Sequence, residues 1–196
     1  MFQNENVNLP LLKRRAYNLR WASVEDGVIP LTAADPDFPG APEISEAICK
    51  FTNDRYYCYT PPEGMQEFKE SVANFFQKKR QVPVSAAHTF AVDSAAFGIY
   101  VTCKAFLKAG EEAIIFDPVD FLFRYSIESL GAIAVPFAIP PGTDQVNFDE
   151  MAALIGPKTK MICLCNPLNP TGKVFTRNEL LQLGQLACKH NLMILS

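Results

Sequence analysis

Two asparagine–proline steps, Asn166-Pro167 and Asn169-Pro170, follow the apolar run from Lys160 to Cys165 and lead directly into Thr171, Gly172 and Lys173. A carboxamide donates through its nitrogen and accepts through its oxygen, so an asparagine on a stiff loop is suited to orienting or polarising a ligand. Each proline fixes a backbone dihedral and Gly172 can take positive φ, which makes the loop rigid. The same residue types also build a plain turn, and the loop by itself leaves both readings open. A second cluster, Ser94-Ala95-Ala96, stands ahead of an apolar stretch. A helix starting there would offer free N–H groups and the positive end of its dipole to an anion. The plain alternative is that Ser94 merely caps the helix.

The other reactive residue types form no such constellation. Cys49, Cys58, Cys103, Cys163, Cys165 and Cys188 include no CxxC pair and no histidine at zinc-ligand spacing, so no metal site is expected. Most of them stand in apolar runs, where a free thiol behaves as a small hydrophobe. The start MFQNENVNLP has neither the charged head nor the apolar core of a signal peptide, and with free thiols this points to a reducing, cytoplasmic setting. At 196 residues, 48% hydrophobic, 20% charged and with a net charge of −3, the sequence is that of an ordinary folded protein of one or at most two domains. No nucleic-acid partner is expected, because the densest basic runs, Lys13 to Arg15 and Lys78 to Arg80, read as solvated helix ends. No membrane span is expected either, since the apolar runs are strand-sized. Lys158 and Lys160 precede a strand and read as solvated turn residues.

The elements that must position these residues follow from periodicity and punctuation. The first forty residues, with Pro30, Pro36, Pro39 and Pro42, read as an irregular arm or loop. A short helix is predicted from Pro42 to about Thr52, then a PPEG turn ending at Gly64, then a helix from Met65 to Lys79. Met65, Phe68, Val72, Phe75 and Phe76 recur on that helix at spacings of three and four. Beyond it strands and helices alternate: HTFAV, a helix over Ala95 to Lys108, AIIFD, a helix over Phe121 to Leu130, and IAVPF. A helix near Phe148 to Ile155, the strand KMICLC, a helix from Thr176 to His190 and the strand LMILS complete the series. Continuously apolar strands separated by helices predict a parallel sheet covered on both faces, with ligands at the carboxyl ends of its strands. Thr176 with Glu179 forms a capping box that marks the start of the last helix.

The string NPLNPTG, after an apolar strand and before a helix, resembles the signature of the fold type I pyridoxal 5′-phosphate (PLP) enzymes of the aminotransferase class I/II family. The resemblance implies an α/β, PLP-dependent transferase-like large domain, incomplete over residues 46–196, with residues 1–45 as an N-terminal arm or part of a small domain. It implies that Asn169 donates a hydrogen bond to the phenolic oxygen of PLP. LTAADPDFPGAPEI is similar to the family segment in which a small residue, here Ala34, lines the substrate pocket. YYCYTPPEG looks like the stretch whose tyrosine, here Tyr59, reaches the cofactor phosphate of the other subunit of a homodimer; an aromatic packed under the next helix is the alternative. Ser94, Ala95 and Ala96 fall on the phosphate-binding turn, though the family's third-position hydroxyl is missing. Asp120 stands where the family has an aromatic ring stacked on the cofactor, so either Phe121 takes that role through a local shift or the cofactor is held differently.

The family continues past a strand like LMILS with an aspartate, a tyrosine, the Schiff-base lysine and two arginines, and no lysine here stands in that lysine's context. The expectation is therefore an enzyme family member whose catalytic lysine is absent from these residues. The reaction expected of the family is amino transfer between an amino acid and a 2-oxo acid. A C–S β-lyase of the cystathionine β-lyase type is the alternative, suggested by the arm from Trp21 through IPLTAADPDF, and a non-catalytic remnant is the third reading.

Overall fold

The computed structural model describes residues 6–15, 20–139 and 145–196, so the first five residues of the stretch read as unlike a signal peptide lie outside it. The chain divides into two units, residues 1–59 and 60–196.

Among its described residues the first unit holds two helices, α1 (Leu9–Arg15) and α2 (Pro42–Asn53). The first of these corrects the expectation of an irregular start. Its cause is local: the Asn8 side chain accepts from the Leu11 N–H at 3.0 Å and Pro10 sits in the first turn. Residues 20–41 are irregular, as expected, and are gathered around Asp37. The carboxylate of Asp37 accepts from Trp21 Nε1 at 2.8 Å and from the Arg20 guanidinium at 3.0 Å, while Arg20 also donates to the Asp35 carbonyl. α2 begins with Pro42 and carries Glu43 in its first turn, both favourable at a helix start.

In the second unit, α3 (Gln66–Phe75) is followed by a π turn over Phe76–Arg80, which ends at Gln81 in the left-handed region. The predicted helix is thus present, but its last turn is wider than α. A second correction concerns HTFAV. Ala86–His88 form a 3-10 turn, Thr89 is extended, and no ladder partner lies beside this run among the described residues. Extended residues become a strand only by repeated pairing, and the Ala91 N–H, which donates to the Glu63 carbonyl at 3.1 Å, starts no ladder, so the run stays irregular.

The sheet is formed by β1 (Glu112–Asp117), β2 (Ile133–Ala138), β3 (Thr159–Cys163) and β4 (Met193–Leu195), in the order β2-β1-β3-β4 and parallel throughout. The connections are helical: α5 (Phe121–Glu128), α6 (Phe148–Ala153) and α7 (Arg177–His190), with α4 (Ala95–Phe106) leading into β1. Alternation along β1 sorts the core into two faces. Ala113 and Ile115 pack with Cys103 and Leu107 beside α4 and with Phe123 and Ile127 of α5. Ile114 and Phe116 pack with Met151 of α6 and Leu183 of α7. Helices therefore cover both faces, as the apolar strands predict. Phe116, 1% exposed, meets Phe137 and Phe175 edge-on at 5.8 and 5.0 Å; burying one such ring contributes about 1.5–3 kcal/mol. Cys103 and Cys163 lie together in the first face with both thiols buried. Their mutual hydrogen bond and burial push the Cys163 thiol far above its ordinary range, so it stays protonated. Among the described residues no helix is long and apolar enough to cross a membrane.

Candidate functional site

β1 and β3 are neighbours and parallel, so the loops that leave their carboxyl ends share one edge of the sheet. The loop after β3 is fixed from several directions. Leu168 is buried at its centre; its N–H donates to the Lys173 carbonyl at 2.8 Å, and Gly172 N–H donates back to the Leu168 carbonyl at 2.7 Å. Gly172 takes φ of 77°, which a side chain would resist, and the Asn166-Pro167 and Asn169-Pro170 peptides are both cis. The Asn166 side-chain oxygen accepts from the Phe175 N–H at 3.1 Å, so this amide serves the loop itself.

The far end of the loop is tied to α7. Thr176 Oγ1 accepts from the Glu179 N–H at 3.2 Å while Glu179 Oε2 accepts from the Thr176 N–H at 2.7 Å, which completes the predicted capping box. Glu179 also accepts from the Lys173 ammonium at 2.9 Å, and Lys173 lies 5.1 Å from the centre of the Phe175 ring. Burial opposes the charged form of Glu179, but the hydrogen bonds from Lys173 and Thr176 and the Lys173 charge outweigh it and hold the carboxyl below its ordinary value.

Asn169, on the exposed crest of this loop, has a different partner. Its Nδ2 donates to Asp120 Oδ2 at 2.9 Å across 49 residues of sequence. Asp120 is the N-cap of α5, its other oxygen accepting from the Leu122 N–H at 3.0 Å. Phe121, next to it, is the first residue of α5 and is 74% exposed. The pairing of Asp120 with Asn169 has no local sequence signal, because it is made by the parallel register of two distant strands. The N-cap role of Asp120 does have one: an aspartate just ahead of the apolar Phe121, Leu122 and Phe123.

Ser94, Ala95 and Ala96 are at the start of α4, as predicted. Ser94 Oγ accepts from the Phe97 N–H at 3.2 Å, so it is a true N-cap, and it donates to Asp93 Oδ1 at 3.2 Å. Ala95 and Ala96 open the helix, where N–H groups lack intrahelical partners and can face an anion. α4 leads through the short link 107–111 into β1 and packs on α5, so it runs back against the strands. Its start is thus turned to the same edge as the Asn169 loop. Ala34 and Tyr59 belong to the first unit, where Ala34 is exposed and Tyr59 fully so.

Comparison with known proteins agrees with this geometry. The profile of the family described as aminotransferase class I and II matches residues 26–196. Aspartate aminotransferase of Sulfolobus acidocaldarius is 30% identical over 164 residues, covering 82% of this chain and 41% of that protein. The crystal structure of aspartate aminotransferase from Thermotoga maritima superposes with a TM-score of 0.81 at 27% identity, covering 95% of this chain and 48% of that one. Cystalysin from Treponema denticola, whose crystal structure contains pyridoxal 5′-phosphate, shares the fold with a TM-score of 0.83 at 22% identity, over 93% of this chain and 48% of that one. The chain spans less than half the length of each of these three proteins. With its parallel sheet, its rigid asparagine loop and a family match over most of its length, the chain belongs to the aminotransferase class I and II family.

Proposed function

We propose that this chain forms part of a PLP-dependent aminotransferase that moves an amino group between an amino acid and a 2-oxo acid. One observation carries the reading: an exposed carboxamide stands on the loop at the carboxyl end of β3, and the chain's path from the serine-capped start of α4 into the amino end of β1 turns that start to the same edge of the sheet. The donors suit PLP. A phosphate dianion matches the free N–H groups of Ala95 and Ala96 and the hydroxyl of Ser94, and a phenolic oxygen matches the second N–H of Asn169. When bound, PLP supplies an electrophilic aldehyde and an electron-withdrawing ring, through which an amino group can be carried from one substrate to another.

The roles of the chain's own residues follow. Ser94, Ala95 and Ala96 hold the phosphate, and the Ser94 hydroxyl turns from Asp93 to do so. Asn169 holds a proton towards the ring oxygen and stabilises negative charge there. Phe121 supplies an apolar face, since the Asp120 carboxylate cannot stack on a ring. Ala34 leaves space for a substrate side chain. Tyr59, exposed along its whole length within its own unit, reaches the cofactor phosphate of a second subunit in a homodimer. The arm at residues 1–45 and the cofactor-binding part at 46–196 act as separate pieces of this assembly, and its setting is the cytoplasm.

The test is to supply the full-length protein with PLP and a panel of amino acids with 2-oxoglutarate, and separately with cystathionine. Glutamate formation that depends on the oxo acid supports the reading. Pyruvate and ammonia release from cystathionine without glutamate formation would replace it with a C–S β-lyase, and neither activity would leave the non-catalytic reading.

A further inference from the structure

We propose that Asp120 is a positioning residue that decides which end of the Asn169 carboxamide is presented to the cofactor. The inference rests on the reading of Asn169 given above and adds the group that makes that reading work. A carboxamide has two ends of nearly equal size, one donating and one accepting, and half a turn about its last torsion exchanges them. Asn169 is exposed on its loop, so local packing does not choose between them. Asp120 does. An ionised carboxylate only accepts, and Asp120 Oδ2 lies 2.9 Å from Asn169 Nδ2, so the nitrogen must face α5 and one N–H is engaged there. The second N–H is then left in a defined direction for a ligand oxygen.

The carboxylate is itself held. Its Oδ1 accepts from the Leu122 N–H at 3.0 Å, and α5 is anchored in the core by Phe123, 6% exposed, and Ile127, fully buried. A continuous path of contacts thus runs from the core through α5 and Asp120 to the amide. Asp120 touches Asn169 and acts through it.

The experiment uses the full-length protein and pyridoxamine 5′-phosphate, a form of the cofactor that binds without a covalent bond to lysine. Dissociation constants are measured by titration calorimetry for the wild type, Asp120→Ser, Asn169→Ala and the double variant. Serine keeps an N-cap oxygen for the Leu122 N–H but is too short to reach Asn169. Asn169→Ala should weaken binding about fivefold, the size of one hydrogen bond, and Asp120→Ser about threefold. In the Asn169→Ala background the serine change should add less than about 1.5-fold, because the residue through which Asp120 acts is gone. A merely structural role would weaken binding equally in both backgrounds, and that result, or no effect of Asp120→Ser alone, overturns the proposal while leaving the role of Asn169 intact. No effect of Asn169→Ala would instead overturn the reading of Asn169, and the proposal with it.

Discussion

Replacing Lys173 by methionine removes the cation from the clip between the Asn169 loop and α7 while keeping the apolar stem beside Phe175. The Lys173 and Glu179 side chains are 6% and 12% exposed and 2.9 Å apart. At that separation two unit charges attract by about 6 kcal/mol at an effective dielectric of 20 and by about 1.4 kcal/mol in bulk water. Desolvation of both ions offsets most of the larger figure, and breaking a fully buried pair by removing one partner costs about 3–5 kcal/mol. Glu179 keeps the Thr176 N–H and hydroxyl donors at 2.7 and 2.9 Å, which lowers the expected cost to about 2 kcal/mol. For a chain of this size the thermal midpoint should fall by roughly 4–8 °C. The pH dependence is fixed by the lowered pKa of Glu179. A carboxyl whose folded value is depressed contributes its full stability above the ordinary glutamate value, about 4.3, and loses it as pH falls through the lower folded value. Thermal unfolding followed by far-ultraviolet circular dichroism should therefore show the full gap between wild type and Lys173→Met at pH 7, narrowing below about pH 4. A gap smaller than about 1 °C at pH 7, or one of constant size down to pH 3, would refute this account of the clip.

Two further changes probe the surroundings of the site. Asp93→Asn removes a negative charge beside the start of α4 while keeping a side-chain oxygen that can accept from the Ser94 hydroxyl. Affinity for pyridoxamine 5′-phosphate should rise about two- to fivefold at low salt and the gain should shrink as salt is added, whereas weaker binding would show that Asp93 supports the turn instead. Gly64→Ala places a Cβ 2.5 Å from that of Ala91, at a residue with φ of 95°. The strain of that backbone and the overlap together should cost about 2–4 kcal/mol, and an unchanged thermal midpoint would contradict it.

The second unit was legible from sequence wherever the signal was local or periodic. The four apolar strands needed only their composition and spacing, and the start of α7 needed only Thr176 and Glu179. α1 shows a local signal that the surrounding prolines obscure: Asn8 and Pro10 form a helix start within a very short span. HTFAV fails for the opposite reason. Its residues favour an extended chain, but a strand requires a neighbour, and sequence does not say which segments come to lie side by side. The Asp120–Asn169 pair is of the same kind. Each residue stands out in the sequence, one as a departure from the family pattern and the other as part of a motif, while their meeting depends on β1 and β3 lying side by side in parallel.

The two thiols enclosed between α4 and β3 make this part of the molecule its own reporter. Cys49, Cys58 and Cys188 are exposed and open to a thiol reagent in the folded chain, whereas Cys103 and Cys163 are enclosed in the core. A reagent acts on the thiolate and needs access to it, so the enclosed pair is silent until α4 lifts from the sheet. The slow phase of labelling would then count openings of the face that carries α4 and α5, residue by residue and without an added probe. Because α4 carries the proposed phosphate turn at its other end, a ligand seated there should lengthen that phase by holding the helix down, and so make its presence felt at two sulfur atoms it never touches.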